Sequence, residues 1–267
     1  MSFRQMFLKI VSFKMVFILF IFYACNSQDH NEPEKKKEML IFCGITMIKP
    51  ILEIAEIIEA DEDIDIVITK GGSGNLMKSM LYSKTGDLYL PGSDKYYQML
   101  DNDHPGVILE KVLVGYNKAA MMVQKGNPLG ITGDLNELTQ KEFAVVIGNP
   151  GSGSIGKETQ SILEKKGIYD TVLKNSMKLT TDSKDLVKLL INKEADIVIN
   201  WYAVSRWDEN KDYMDAIEIN PEFAKEKKLV LGLLKYSQNK ETARKFMALA
   251  SSKKGQAIFK KHGFHFD

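Results

Sequence analysis

Residues 39–76 read MLIFCGITMIKPILEIAEIIEADEDIDIVITKGGSGNL. Short apolar runs at residues 39–43 and 64–69 enclose a segment, residues 48–59, whose apolar positions recur with the period of a helix. This order predicts a strand, a helix and a second strand, followed by a glycine-rich turn at residues 71–74. A strand, a helix and a strand in succession are typical of an α/β fold with a mainly parallel sheet.

The same alternation of strands and helices continues through the rest of the chain. Residues 112–123 form a long extended run that predicts a crossover into a second series of strands and helices, and residues 228–234 predict an extended return. Two similar series joined by two extended segments predict two lobes. The cleft between two lobes is the default place for a ligand.

The N-terminus has the pattern of an export signal. Basic residues up to Lys14 precede ten uninterrupted apolar residues, 15–24, and Cys25 follows. A membrane-spanning helix needs about 20 apolar residues, so we interpret residues 1–24 as a secretory signal peptide, with an uncleaved anchor as the alternative. Ala24 followed by Cys25 resembles a bacterial lipoprotein box, which implies lipidation of Cys25. The polar residues 25–38 predict a flexible tether to the periplasmic or extracytoplasmic face of the cell envelope.

The overall charge narrows the classes of partner. The chain has 36 Lys and Arg against 35 Asp and Glu, and 33 against 35 once the predicted signal peptide is removed. This near balance offers no basic surface for nucleic acid, so a bound anion must be held by local dipoles. The four histidines show no metal-ligand spacing, and Cys43 follows an apolar run typical of a buried thiol. We therefore expect no nucleic acid, no metal and no cofactor.

Three small-residue turns follow predicted strands and carry hydroxyl groups. Thr46 lies in the first, CGIT, Ser73 in the second, KGGSGN, and Ser154 in the third, GNPGSGSIGKE, which begins at Gly148. A turn from a strand into a helix presents free backbone N–H groups that bind anions. The alternative for each turn is an ordinary βα connection in which the hydroxyl caps the helix. Because such turns occur in both halves of the chain, we expect them to converge on one site.

The third turn also matches two nucleotide-binding patterns. Gly151, Gly153 and Gly156 satisfy G-x-G-x-x-G, and residues 151–157 satisfy the front of a P-loop. Glu158 stands where a P-loop needs Ser or Thr for magnesium, and the turn lies mid-chain rather than in the first βα unit. We therefore interpret it as an anion-binding turn without a nucleotide.

Five stretches in chain order carry a family resemblance: residues 40–50 (LIFCGITMIKP), 70–76 (KGGSGNL), 148–167, 193–200 and 257–264. They resemble the opening strand and turn, the second serine-bearing turn, the second-lobe anion turn and helix, the strand after the hinge-side helix, and the C-terminal helix of one family. That family is the molybdate-binding branch of the type II periplasmic solute-binding proteins of ABC importers. The shared order along the body is more specific than any single motif.

The resemblance implies a two-lobe periplasmic-binding-protein type II fold, α/β, with each lobe a mainly parallel sheet flanked by helices and two hinge crossovers between them. The first lobe would comprise residues 39–116 and 231–267 and the second residues 117–230, with the hinge near residues 114–122 and 228–234.

In that family a tetrahedral oxyanion is held by hydroxyl and backbone N–H donors, without a charged side chain. Trp201 stands where the family has a tyrosine, so either its indole N–H or the phenol of the adjacent Tyr202 would replace that donor. By position, the resemblance implies a ligand-binding set of Thr46, Ser73, Ser154, Ile155, Ser183, Trp201 and Tyr202, with Ile155 and Ser183 acting through backbone N–H groups.

The function implied is that of a monomeric, extracytoplasmic substrate-binding lipoprotein that binds molybdate or tungstate and presents it to an ABC permease, without catalysis. Donors without acceptors favour a fully ionised anion over a protonated phosphate. Residues 86–93, GDLYLPGS, depart from the small-residue stretch of the family. The alternatives are another small anionic solute in the same fold, a nucleotide-binding enzyme built on residues 151–157, and an exported sensor or docking lipoprotein.

Overall fold

The computed structural model describes residues 36–266 of the chain. The predicted signal peptide, the predicted lipidation site at Cys25 and all but the last three residues of the predicted tether lie outside the described residues. Within the described part, no helix has the length and hydrophobicity needed to cross a lipid bilayer.

The described residues form two five-stranded sheets. The first contains β1 (Lys37–Gly44), β2 (Ile64–Gly71), β3 (Leu88–Leu90), β4 (Ile108–Asn117) and β10 (Lys227–Leu234). The second contains β5 (Ala119–Gln124), β6 (Val145–Gly148), β7 (Lys178–Thr180), β8 (Ile197–Trp201) and β9 (Met214–Glu218). Across the sheets the strand orders are β2-β1-β3-β10-β4 and β7-β6-β8-β5-β9.

Each sheet is mainly parallel, as the sequence predicted. In the first, β1 pairs in parallel with β2 and β3, while β10 is antiparallel to β3 and β4. In the second, β6 pairs in parallel with β7 and β8, while β5 is antiparallel to β8 and β9. Four of the five strands in each sheet therefore share one direction, and the opposed strand is the one that arrives from the other sheet.

Helices cover both sheets and enclose separate hydrophobic cores. Ile51 and Ile54 are fully buried in a cluster with Ile41 of β1, and a second cluster gathers Ile147 and Ile199 beneath the helices of the other sheet. A third cluster, around Phe42 and Tyr89, also packs on the first sheet. Two clusters on the first sheet and one on the second define two lobes, called here the first and second lobe. The helices are α1 (Ile48–Asp61), α2 (Ser73–Ser83), α3 (Lys95–Asp103), α4 (Ser154–Lys166), α5 (Tyr169–Asn175), α6 (Ser183–Ile191), α7 (Lys240–Ser251) and α8 (Lys253–Lys261), with 3-10 turns at Ile45–Met47, Leu135–Thr139 and Tyr202–Arg206.

The chain passes between the lobes twice. The first passage is the single residue Lys118 between β4 and β5, which lies inside the predicted hinge at residues 114–122. The second passage is residues 219–226, between β9 and β10, and it precedes the predicted hinge at residues 228–234. That prediction was wrong because the apolar run of β10 is not a connection: it is a buried strand paired on both sides, so residues 227–230 belong with the first sheet.

Asp87 fixes the strand that leads into the cleft. Its side chain is 4 % exposed, and it accepts hydrogen bonds from Leu40 N (2.8 Å), Ser237 Oγ (2.6 Å) and Asn239 N (3.1 Å). These donors come from β1 and from the segment before α7. Asp87 therefore ties two distant parts of the first lobe to β3, whose far end continues into Gly92.

Replacing Asp87 with alanine should destabilise the protein strongly. Asp87→Ala leaves several buried donors without an acceptor, which predicts a loss of about 3 kcal/mol in the free energy of unfolding. Urea denaturation followed by circular dichroism measures this loss. The matched control is Asp103→Ala, an exposed carboxylate, which should change stability by less than about 0.5 kcal/mol. Equal stability of the two variants would contradict the assigned role.

Candidate functional site

A small cavity lies between the lobes at the ends of β1, β2 and β6. It has a volume of about 10 Å³ and is lined by the turn after β1, the turn after β2, the start of α4 and the start of α6. Cavities of this size hold a water molecule or a similarly compact group. The structure brings five of the predicted ligand-binding residues to its wall: Thr46, Ser73, Ser154, Ile155 and Ser183.

Helix N-termini supply the backbone donors of the cavity. Ser73, Ser154 and Ser183 are the first residues of α2, α4 and α6, and Ile155 is the second residue of α4. N–H groups in the first turn of a helix have no acceptor within the helix and carry partial positive charge. Four residues that carry such groups, from both lobes, therefore line one small volume, which is a chemically suitable environment for an anion.

Asp182 also lines the cavity, and the sequence analysis missed it. Its carboxylate accepts hydrogen bonds from the N–H groups of Lys184 (2.8 Å) and Asp185 (3.3 Å), so it caps α6. An aspartate one residue before a helix is a recognisable capping signal. The cap occupies two N–H groups at the start of α6, which are then not available to a ligand. The N-termini of α2 and α4 are therefore the stronger candidates for binding an anion.

Three hydroxyl contacts organise the interior of the site. Thr46 Oγ1 lies 3.4 Å from Ser183 Oγ across the lobes. Ser73 Oγ accepts a hydrogen bond from Gly92 N (3.0 Å). The Ser152 hydroxyl, in the same turn as Ser154, donates to carbonyl oxygens of its own lobe, Asn149 O and Thr181 O, and does not line the cavity.

The two aromatic residues of the predicted set lie elsewhere. Trp201 is fully buried and does not line the cavity; its Nε1 donates to Ser154 Oγ at 3.1 Å. Tyr202 begins the 3-10 turn after β8, and its ring packs against His265 with centroids 5.9 Å apart. Tyr202 therefore does not line the cavity, and its role as a donor to the ligand stays a prediction.

Gly92 is a further site residue that the sequence analysis did not single out. A Cβ atom at this position would lie 2.3 Å from Ser154 Oγ, a distance that no real side chain tolerates. Only glycine lets the segment after β3 pass this close to the second lobe. The signal was present in the Leu-Pro-Gly sequence, where the chain departs from the family pattern.

The glycine-rich turn at residues 148–156 docks onto the first lobe. The N–H of Asn75 donates to Ser152 O (3.1 Å), and Lys78 Nζ donates to Gly151 O (3.2 Å). A Cβ at Gly156 would lie 2.3 Å from Asn149 O, so this glycine permits the tight passage from β6 into α4. A Cβ at Gly153 would likewise lie 2.8 Å from Thr181 O. Close packing within the protein therefore accounts for two of the three glycines of the pattern without a nucleotide. In the described part of the chain, no group of three or more His, Cys, Asp or Glu is placed to hold a metal ion.

A buried ion triad also joins the lobes. Glu158 of α4 is 2 % exposed, and its carboxylate lies 3.2 Å from Lys95 Nζ and 3.1 Å from Lys227 Nζ. Lys95 begins α3 and Lys227 begins β10, both in the first lobe. The carboxylate that argued against a P-loop is thus an interlobe contact close to the cavity.

Removing the charge of Glu158 should weaken the closed arrangement. Glu158→Gln leaves two partly buried ammonium groups without their counter-charge, which predicts a loss of about 1–3 kcal/mol in the free energy of unfolding. The value is below that for a fully buried pair because both lysines retain contact with water. Urea denaturation measures it against Glu142→Gln, an exposed glutamate. A loss no larger than that of the control would contradict this role.

Cys43 should be inert in the native protein. The side chain is fully buried just before the first turn, and burial raises the pKa of its thiol far above the usual range, so very little thiolate forms at neutral pH. A maleimide reagent at pH 8 should leave Cys43 unmodified in the native protein and modify it in urea, as read by mass spectrometry of its peptide. Rapid native modification would contradict the buried placement.

Solved structures share this fold. The periplasmic molybdate-binding protein of Azotobacter vinelandii matches with a TM-score of 0.72 and 15% identity, over 86% of this chain and 99% of its own. A periplasmic thiamin binding protein matches with a TM-score of 0.73 and 15% identity, over 87% and 84%. PEB3 of Campylobacter jejuni, bound to L-phospholactate, matches with a TM-score of 0.67 and 20% identity, over 86% and 100%. At these identities the likeness shows the two-lobe binding-protein fold.

Sequence relatives extend over the same body. A candidate binding protein of Haemophilus influenzae is 24% identical over 233 residues, 85% of this chain and 90% of its own. YvgL of Bacillus subtilis, described as a candidate ABC transporter substrate-binding lipoprotein, is 25% identical over 254 residues, 90% of this chain and 92% of its own. A family model of bacterial extracellular solute-binding proteins matches residues 39–265. The match spans both sheets and every wall of the cavity, and the chain belongs to this family of solute-binding proteins.

Proposed function

We propose that the protein is a lipid-anchored, extracytoplasmic substrate-binding protein of an ABC importer that binds a tetrahedral oxyanion, molybdate or tungstate, in the cavity between its lobes. The observation that carries the proposal is the convergence of hydroxyl groups and helix N-termini from both lobes on one cavity. The anchor would be the lipidated Cys25, and the partner an ABC permease that receives the ligand from a monomeric binding protein.

The chemistry of the donors favours a fully charged anion. Among the described residues that line the cavity, the one charged side chain is that of Asp182, whose carboxylate accepts hydrogen bonds from Lys184 N and Asp185 N. The donors on the wall are peptide N–H and hydroxyl groups. Each hydrogen bond to a charged oxygen contributes about 1.5–3 kcal/mol before desolvation costs are counted. A dianion with four equivalent oxygens can use donors that approach from both lobes, since it presents acceptors in every direction.

The size of the cavity favours a compact guest. At about 10 Å³ the cavity holds about one water-sized group, so the lobes must open slightly for a tetrahedral oxyanion and further for a larger solute. The two passages of the chain, at Lys118 and at residues 219–226, are short, as expected for a hinge that opens the lobes to admit a ligand. The likeness to a molybdate-binding protein and to a candidate ABC lipoprotein supports the same proposal.

We propose binding without catalysis. The buried Cys43 is held as a thiol, with its Sγ near Gly44 O (3.4 Å), and the cavity wall offers no general base beyond the capped Asp182. The relatives are binding proteins as well.

The test is a titration of the full-length protein in mild detergent. Calorimetry at pH 8 should show micromolar or tighter binding of molybdate and tungstate and much weaker binding of phosphate. Ser73→Ala should weaken molybdate binding about 10- to 100-fold, the equivalent of one charge-assisted hydrogen bond. The matched control is Ser152→Ala, a neighbouring serine whose hydroxyl lies outside the cavity, and it should stay within about threefold. Absence of binding, or an unaffected Ser73→Ala variant, would refute the proposal.

A second candidate is supported by the groove that adjoins the cavity. This groove has a volume of about 440 Å³, shares Ile45 and Ser183 with the cavity, and carries four lysines, Lys49, Lys70, Lys184 and Lys188. Its volume lies in the range of pockets for small organic ligands. An organic phosphate or phosphonate would place its anionic group at the cavity and its remainder in the groove. Tight binding of L-phospholactate together with weak binding of molybdate would favour this candidate.

A further inference from the structure

The groove beside the cavity carries a local excess of positive charge that the chain as a whole lacks. Without the predicted signal peptide the chain has 33 Lys and Arg against 35 Asp and Glu, so its overall charge does not attract an anion. Among the described residues that line the groove, four are lysines and one, Glu209, is acidic. Because the groove shares Ile45 and Ser183 with the cavity, this positive charge lies next to the proposed binding site.

One of the four lysines is already paired. Lys49 of α1 reaches the second lobe, where its Nζ lies 2.5 Å from Glu209 Oε2 and 5.0 Å from the centre of the Trp207 ring. The other three are exposed and form no ion pair or side-chain hydrogen bond with another residue of the range 36–266: Lys70, Lys184 and Lys188. Their charges are therefore available to an anion in solution.

The three free lysines come from both lobes. Lys184 and Lys188 lie one helical turn apart on α6 in the second lobe. Lys70 lies near the end of β2, at the edge of the first sheet opposite β4 and thus away from the chain passage at Lys118. When the lobes open about that passage, the free lysines lie on both sides of the widening cleft.

The groove lies on one flank of the interface, and contacts between the lobes occupy the other flank. Neighbouring residues of β1, Ile41 and Phe42, belong to different hydrophobic clusters, so α1 covers one face of the first sheet while α2 and α3 cover the other. The groove is on the α1 side. On the α2 and α3 side, Lys78 donates to Gly151 O and Lys95 is paired with Glu158. The α1 side thus offers an anion an open approach to the cavity.

Lysines in the groove can attract an anion without the cost of being enclosed with it. At the surface an ammonium group keeps its water, and its field still acts on a charged ligand that diffuses nearby. Charges of one sign along a cleft raise association rates by about 10- to 1,000-fold at low ionic strength. Charges at the rim of a site act mainly on the association rate and on its salt dependence.

We propose that Lys70, Lys184 and Lys188 form a transient capture site for the oxyanion, which speeds its entry into the cavity and is not part of the final binding site. The role of these lysines rests on the proposed oxyanion function and concerns the route by which the ligand reaches that same cavity. The protein then uses full charges to collect the anion and partial charges to hold it.

The test removes the three free charges together, in the triple variant Lys70→Gln, Lys184→Gln and Lys188→Gln. Stopped-flow tryptophan fluorescence of the full-length protein in mild detergent at pH 8 gives the rate constants for association and dissociation of molybdate. At an ionic strength of about 0.01 M, where the Debye length is about 30 Å, the association rate constant should fall about tenfold. The dissociation rate constant should stay within about twofold of the wild type.

A second measurement at high salt isolates the electrostatic origin of the effect. At an ionic strength of about 1 M the Debye length is about 3 Å, so charges in the groove no longer act on a distant anion. The triple variant and the wild type should then associate with molybdate at the same rate. A difference in association rate that persists at high salt would overturn the proposal.

The matched control makes the same change in net charge far from the groove, in the triple variant Lys84→Gln, Lys235→Gln and Lys240→Gln. These lysines are exposed and lie at the edge of the first sheet opposite the cavity, since Lys84 precedes β3 and Lys235 follows the antiparallel β10. The association rate constant of this control at low ionic strength should stay within about twofold of the wild type. An equal fall in both triple variants would assign the effect to net charge and overturn the proposal.

The remaining outcomes separate this proposal from the oxyanion function itself. Faster dissociation of molybdate with an unchanged association rate would place the lysines in the final site and overturn the capture role, while the oxyanion function stands. A wild-type protein that binds neither molybdate nor tungstate overturns the oxyanion function, and the capture role falls with it. Slower association confined to the groove variant and abolished by salt establishes the capture site.

Discussion

A contact between two peptide turns organises the whole site. Asn75 N–H on α2 donates to Ser152 O in the turn that precedes α4, at 3.1 Å. Because the same turns begin the two helices, the bond that joins the lobes also aims both helix N-termini at one cavity. A small separation of the lobes would therefore withdraw donors from both sides at once. The affinity for a ligand is therefore coupled to closure of the lobes through this contact alone.

The absence of a cationic side chain from the described cavity wall has an energetic reason. A lysine enclosed there would have to lose its water on every closure, a cost that needs a paired charge. Helix termini and hydroxyls present partial charges that are fixed in place by the fold. Two cations near the cavity, Lys95 and Lys227, are paired with Glu158 outside it. Charge thus stabilises the closed lobes, while dipoles face the guest.

The sequence predicted the strands, helices and turns that depend on local residue pattern. It did not predict the contacts that depend on pairing between distant parts of the chain. Apolar periodicity predicted β1, α1 and β2, and the small-residue turns predicted Thr46, Ser73 and Ser154 at the cavity. The extended run of β10 was misassigned, because a strand between two partners looks like a connection until those partners are known. The ring of Tyr202 packs against His265 near the C-terminus, a contact between distant residues that local sequence pattern does not reveal.

Gly92 and the glycine-rich turn show why a short sequence motif predicts function less well than the structural context in which it lies. The pattern G-x-G-x-x-G describes a backbone that something approaches closely, and in a dinucleotide site that partner is a pyrophosphate. Here Gly156 admits Asn149 O, while the carbonyl of Gly151 accepts from Lys78 on the other lobe. In this turn, glycine allows segments of the same chain to pack closely against one another. The same physical requirement produces the same sequence pattern, and Glu158 together with the mid-chain position of the turn distinguished the two uses from sequence alone.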